Sequence, residues 1–592
     1  MKLKKKNKRL LLQAALGKIK VDLAIKNIQL LNTITGEIYP ATVFVHDGFI
    51  VHVEDKDLTA DLDNGKEIVD GQGQFLTPGL IDAHVHIESS MMIPRTFAEA
   101  SLPHGTTTVI TDPHEIANVY GVEGVKYMHD SSDGLPQRQL INIPSCVPSV
   151  PDLEYAGATF MSEDIIELAK LERVIGLAEV MDYVGVINGE DRMMDIIEAA
   201  ENLGLYIQGH TPFVTGKDLS AYLVAGPNTC HETRVSSEAL EKMRKGMFVD
   251  ARDSSLAKNV TDIINGIKNV RYFDHLCLCT DDRESDEILN IGHMNDVVRN
   301  AIKSGLHPID AYRAASYNIA REIKADDIGA IAPGFIADML LIPDLEKVEP
   351  SHVFFEGKLV ASNNKLIVPI STMPNEIETR NSINTKRLTL EDFIIKVDTR
   401  LAEVSVNIIN YPDSRISSSE LIVETLKVIK GKIDISHDDD LKYIAVVNRH
   451  NHNDKIGLGI VRGFGTNQGC LASTVSHDSH NLVVVYDNPE NALIAANELI
   501  RVGGGQTGVL NSQVLHTLEL RVAGLMSTKP AGELAIDANA MKAVNRKLGL
   551  TKLENPLLRI VAMALIVIPK FKMSELGIVD VLNKKVIKTL NS

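Results

Sequence analysis

The amino-acid sequence predicts an α/β protein built on a parallel sheet, open or closed into a (β/α)8 barrel. A small β-sandwich-like domain from the flanking segments and an additional C-terminal α+β domain complete the expected architecture. Three observations carry this prediction. Between residues 78 and 330, short apolar runs alternate with helix-sized segments, the signature of a parallel α/β sheet. Both flanks of that region read as strands separated by turn signals. A polar stretch near residue 380 then sets off a last unit with its own strands.

In chain order, residues 1–77 begin with a basic head, "MKLKKKNKRLLLQAALGKIK", that leads into a short helix. Strands rich in Val, Ile and Thr follow, with turns at Thr35-Gly36 and Asp47-Gly48. Residues 78–330 form the central unit. Its apolar runs are "GLIDAHVH", "TTTVIT", "VIGLAEV", "GLYIQGH", "MFVDAR" and "HLCLCT", and between them lie segments such as "DRMMDIIEAAENLG" with apolar residues at helical spacing. Residues 331–375, with a Glu356-Gly357 turn, return to strands and are expected to rejoin the N-terminal β unit. Residues 371–389 read as a linker, and residues 390–592 as the C-terminal domain. Gly503 to Gly505 follow the helical stretch "NALIAANELI", so they read as a helix C-cap and turn, not as a phosphate loop.

A chain of 592 residues is expected to divide into two or three domains. Its net charge of -17 argues against a general nucleic-acid binder, which needs a positive face to displace counterions. A small-molecule partner is expected instead. The five cysteines are scattered, with no Cys-x-x-Cys pair, which fits a reducing compartment. The apolar part of the N-terminus is too short for a secretory signal, and no run approaches the ~18 apolar residues of a membrane span. A cytoplasmic homo-oligomer, a dimer for an enzyme of this size, is the expectation.

Reactive groups of such barrels sit at the C-terminal ends of the strands. The first apolar run ends in His84 and His86, which share a face because side chains alternate along a strand. Later runs end near Glu179, at His210 and at Asp281 with Asp282, and "AGPNTCHET" offers His231. Taken singly, each has a plain account: His210 can cap the next turn, His231 can be a core histidine, and the aspartates can begin a helix. Together, four imidazoles and two kinds of carboxylate suffice for two divalent ions.

These residues, with "PGLIDAHVHIESS", "CTDD" and the closing "IAPGFIADMLLI", resemble the amidohydrolase superfamily. The strings "TTTVITDPHEIANV", "STVSHDSHNLVVV" and "GLMS" resemble, within it, the bacterial adenine deaminases, and the likeness covers nearly the whole chain. The resemblance implies a closed (β/α)8 metal-dependent hydrolase barrel. It implies a binuclear centre of Mn²⁺ or Fe²⁺, with Zn²⁺ compatible with the same nitrogen and oxygen donors. The ligands it implies are His84, His86, Glu179, His210, His231 and Asp281. Many amidohydrolases bridge their metals with a modified lysine where this chain has Glu179, and neither Lys170 nor Lys245 stands at a strand end. Glutamate fills the bridging role in the adenine deaminase group.

The implied reaction is hydrolysis of adenine at C6 to hypoxanthine and ammonia, as in purine salvage, with Glu179 and Asp281 catalytic and Asp281 moving the proton. The single-zinc deaminases are excluded, because "HIE" supplies their first half-motif while Cys277 and Cys279 do not form Pro-Cys-x-x-Cys. Asp112, His114 and Glu115, just after the "TTTVI" run, are candidate substrate or supporting groups, as are Asp282, His293, His477 and His480. Plainer accounts of these are a helix cap at Pro113 and a polar turn at Ser476 to Asn481. The competing expectations are another cyclic amidohydrolase, dihydroorotase-like or imidazolonepropionase-like, and a non-catalytic barrel scaffold.

Overall fold

The computed structural model describes residues 1–591 apart from 59–64, 371–374, 413–418, 554 and 569. Eight parallel strands build the central unit: β1 (Leu80–Val85), β2 (Thr106–Thr111), β3 (Arg138–Ile143), β4 (Val174–Val180), β5 (Tyr206–Gly209), β6 (Thr229–Cys230), β7 (Phe248–Arg252) and β8 (Leu276–Cys279). They run in sequence order in two hydrogen-bonded arcs, β1 to β5 and β6 to β8. The arcs meet at two seams where the ladder is interrupted. At one, the Asp281 N–H donates to His84 O at 3.0 Å; at the other, Asn228 N–H donates to Ile207 O at 3.2 Å. Every residue of β1, β2, β3 and β4 is buried. Burial on both faces explains why these strands read as continuous runs without alternation.

The two flanks share one nine-stranded sheet. Its join is the antiparallel pairing of Phe75–Pro78 with Met339–Ile342, in the register Leu76 to Leu341. The Asp47-Gly48 turn has φ of 52° and 76° at its two residues, and Glu356-Gly357 has 49° and 76°. Two successive positive φ values suit tight hairpins, whose twist matches that of the strands. Arg138 of β3 ties this sheet to the barrel. Its guanidinium lies 2.5 Å from Asp338 and 3.1 Å from Glu356, and it also donates to Thr108 Oγ1.

The C-terminal unit is a second nine-stranded sheet carrying the helices Pro489–Val502 and Ala531–Leu548. Gly503, at φ 91°, ends the first helix in the left-handed region. This unit shares a core with the mouth of the barrel: Ile87, Met92 and Phe97 lie in one buried cluster with Leu520, Met526, Met541 and Met563. Lys542 reinforces the joint by pairing with Glu284 at 2.7 Å and Asp286 at 2.9 Å. Elsewhere at the joint, Glu575 accepts from the Tyr155 N–H at 2.9 Å while Asn481 donates to Tyr155 O at 3.1 Å. The first four residues of the expected linker lie outside the described residues. Part of the rest is packed: Ile377 is buried, and Glu378 meets Arg95 at 3.4 Å and Tyr127 Oη at 3.3 Å. Among the described residues, no helix is long and apolar enough to cross a membrane.

Two stability predictions follow from these joints. Arg138→Met leaves Asp338 without its buried partner, so it should cost about 3–5 kcal/mol, read as a fall in the urea midpoint. Burial, with Asp478 nearby, pushes the Glu154 carboxyl from its usual 4.5 up to about 8. The fold therefore holds a proton there that the unfolded chain releases near pH 4.5. Stability should fall as pH rises from about 5 to 8, and Glu154→Gln should flatten that fall in melting temperature against pH.

Candidate metal centre

Six predicted ligands converge because they stand at the C-terminal ends of five strands or within two residues beyond them. His84 lies in β1 and His86 just past it; Glu179 is in β4, and His210, His231 and Asp281 follow β5, β6 and β8. Asp281 adopts φ 56°, a left-handed conformation that aspartate tolerates better than most residues.

Glu179 is central. Its Oε1 lies 3.3 Å from His86 Nε2 and 3.9 Å from His84 Nε2. Its Oε2 faces the other pair, 3.1 Å from His231 Nε2 and within hydrogen-bond reach of His210 Nδ1. Burial alone would raise this carboxyl, but His231 and His210 hold it well below the usual carboxylate range. Asp281 Oδ1 lies 3.3 Å from His86 Nε2 and 3.7 Å from His84 Nε2. The other oxygen of Asp281 is paired with Arg252, which also reaches Glu232 at 2.5 Å.

The orientation of two rings shows that a cation fits here. His86 Nδ1 lies 2.9 Å from the main-chain oxygen of Asp112. His84 Nδ1 lies 3.0 Å from Gln208 Oε1, and the Gln208 amide nitrogen is itself committed to Ala83 O at 2.8 Å. Both acceptors demand a proton on Nδ1, so each ring turns Nε2 inward. Those two Nε2 atoms face each other at 3.0 Å. Against the effect of burial, Glu179 and the aspartates Asp282 and Asp112 hold the His86 imidazole well above its usual range, so the place between the two rings takes a positive charge, a proton on His86 or a metal ion that replaces it. Burial, with His231 and His86 alongside, holds the His84 imidazole well below its usual range, which keeps its lone pair free. His84, His231 and Asp281 form one group able to hold an ion, and Glu179, His210 and His231 another.

The remaining predicted residues divide. His114 Nδ1 lies 3.2 Å from Asp112 Oδ2 and 3.6 Å from Glu179 Oε1, at the rim of the centre. Ser89 Oγ lies 2.5 Å from a Glu115 oxygen and 2.6 Å from an Asp282 oxygen, linking the segments after β1, β2 and β8. The C-terminal unit reaches the same place: His477 Nε2 is 3.7 Å and His480 Nε2 3.9 Å from Glu115, while Asp478 lies 3.9 Å from His114 Nε2. His293 stands apart. It is fully buried, bonded to Thr106 Oγ1 at 3.0 Å and Thr280 Oγ1 at 3.2 Å, with Phe97 against its ring. Sequence reasoning missed Gln208 and Arg252, although both occupy the strand-end positions that marked the others.

Convergent imidazoles and carboxylates at the C-terminal ends of eight parallel strands define a metal-dependent hydrolase of the amidohydrolase class, and the description "Amidohydrolase family" matches residues 75–360. A second description, "Adenine deaminase C-terminal domain", matches residues 418–585. Adenine deaminase 2 of Carboxydothermus hydrogenoformans is 38% identical, covering 96% of this chain and 97% of its own. The adenine deaminase of Clostridium acetobutylicum is 36% identical, covering 97% and 98%. Among solved structures, a beta-aspartyl dipeptidase from Fervidobacterium islandicum AW-1 covers 59% of this chain and 99% of its own, at 18% identity and a TM-score of 0.46. The chain belongs to the adenine deaminase family.

The centre generates a prediction about metal content. Gln208→Leu leaves His84 without its acceptor and should weaken metal binding about 10–100-fold, measured by competition with a chromogenic chelator. Glu179→Gln should lower the metal retained after gel filtration, read by elemental analysis, while leaving the circular dichroism of the chain unchanged.

Proposed function

We propose that this chain hydrolyses adenine to hypoxanthine and ammonia, using two divalent ions held by His84, His86, Glu179, His210, His231 and Asp281. The observation that carries this reading is the disposition of Glu179, whose two oxygens face separate pairs of imidazoles. Family membership supplies the substrate. Nitrogen and oxygen donors without thiolate suit Mn²⁺ or Fe²⁺, and accommodate Zn²⁺. When bound, the ions supply Lewis acidity that lowers the pKa of water toward neutrality.

The rest is the work of the protein's own groups. Gln208 and the Asp112 carbonyl fix the rings of His84 and His86 so that Nε2 points inward. Arg252 holds one oxygen of Asp281 and leaves the other facing the histidines. Asp281 is thereby placed to take a proton from the attacking water and to pass it to the departing amine or a ring nitrogen. His114, Glu115, Asp282 and the loop bearing His477 and His480 surround the purine as positioning groups. The five thiols are all free and buried, which supports a reducing, cytoplasmic setting. Chain size supports a symmetric dimer.

The test is ammonia release from adenine by full-length protein supplied with Mn²⁺. Turnover is expected, and Asp281→Asn should cut kcat by about 10²–10⁴-fold, the usual contribution of a positioned proton-transfer group. Activity on a panel of cyclic amides in place of adenine would overturn the reading.

A further inference from the structure

The seam between β5 and β6 carries half of the metal centre on little backbone. The two strands belong to separate hydrogen-bonded arcs, and β6 is two residues long. His210 and His231 nonetheless leave them with ring centres 5.3 Å apart, both facing Glu179 Oε2. His231 Nδ1 is buried and, among the described residues, has no hydrogen-bond partner. Its ring is therefore not aligned from behind as that of His84 is by Gln208. What joins the two segments is a buried ion pair on the helix Ser236–Arg244. Lys242 Nζ lies 2.6 Å from Glu238 Oε1, one turn away, and the two side chains are 0% and 2% exposed. An ammonium has three protons to donate. Lys242 directs them to Glu238, to Thr211 O at 2.7 Å beside His210, and to Cys230 Sγ at 3.2 Å and Thr233 Oγ1 at 3.3 Å on either side of His231. Glu238 accepts from the Phe213 N–H and from the Arg234 N–H, each at 2.9 Å. Each charge thus grips both segments.

We propose that Lys242 and Glu238 are positioning residues: their ion pair stands in for the interrupted ladder and sets His210 and His231 for one of the two ions. The inference rests on the reading of the site as a binuclear centre. A buried ion pair contributes little net stability, because taking two charges out of water costs about as much as their attraction returns. This pair spends its remaining hydrogen bonds on the residues that flank two ligands, so what it supplies is geometry. The work at the centre is then divided. Gln208 and the Asp112 carbonyl align His84 and His86, while Lys242 and Glu238 space His210 and His231. Loss of the pair should weaken one ion and spare the other.

The experiment titrates full-length, metal-free protein with Mn²⁺ against a chromogenic chelator, which resolves two binding steps. Lys242→Met should weaken one step by about 10–100-fold, the usual effect of removing a group that orients a ligand, and leave the other unchanged. Combined with Gln208→Leu, which acts on the His84 side, it should weaken both. Lys242→Met strands a buried carboxylate, so the variant that also carries Glu238→Gln bears the test if the single one does not fold. Replacing both charges is close to neutral for stability, and the metal-free urea midpoint should stay near that of the unaltered protein while one step is weakened. In the unaltered metal-free protein, the Phe213 and Arg234 amides should exchange slowly with deuterium, although the Phe213 side chain is 67% exposed; exchange at the rate of a free loop would overturn the proposal. Two unchanged binding steps in a folded variant would overturn it as well, and so would an equal loss at both steps, the mark of a purely structural pair. Fewer than two ions bound by the unaltered protein would instead overturn the binuclear reading, and the proposal with it.

Discussion

The structure turns on two imidazole Nε2 atoms aimed at each other across 3.0 Å, beside the buried carboxylates of Glu179 and Asp281. Such a site needs a positive charge among its members, a proton on His86 or a bound cation. Several features of the barrel serve to maintain this arrangement. Gln208 and the Asp112 carbonyl prevent the two rings from turning away, and the Arg252 guanidinium prevents Asp281 from turning toward the metal-facing histidines with both oxygens. The backbone bond from Asp281 to His84 O bridges one seam between the two arcs and brings the last proposed ligand beside the first.

Much of this was legible in the sequence for a simple reason. A parallel strand buried on both faces is apolar throughout, so a charged or imidazole side chain at its end stands out, as Glu179 and His210 do. Legibility failed where that contrast failed. Strand β6 is only Thr229–Cys230, with no apolar run to announce it. Gln208 and Arg252 look like interruptions within their runs, and only the folded arrangement shows what they hold. Residues 375–389 read as a linker because they are polar, yet Glu378 spends that polarity on Arg95 and Tyr127. His293 lies in a polar string, "GHMND", but the hydroxyls of Thr106 and Thr280 satisfy it inside the core. Periodicity cannot separate a polar residue that meets water from one that meets a buried partner.

The C-terminal unit is integral to the site. It contributes apolar packing over Ile87 and Met92, a buried cation at Lys542, and the loop that brings His477, Asp478 and His480 to the barrel rim. Removing bulk water from the mouth lowers the local dielectric, which strengthens the interactions of Glu179 and Asp281 with whatever positive charge they hold. The strength of the centre therefore depends on the close seating of the second unit on the first.

That seating also imposes a sequence in time. The last proposed ligand, Asp281, is made some 200 residues before the loop that brings His477 to the barrel rim. At roughly 5–20 residues per second, the open centre faces the solvent for about 10–40 s before its cover exists. Ions can reach the histidines freely in that interval, and the docked C-terminal unit afterwards stands between them and the surroundings.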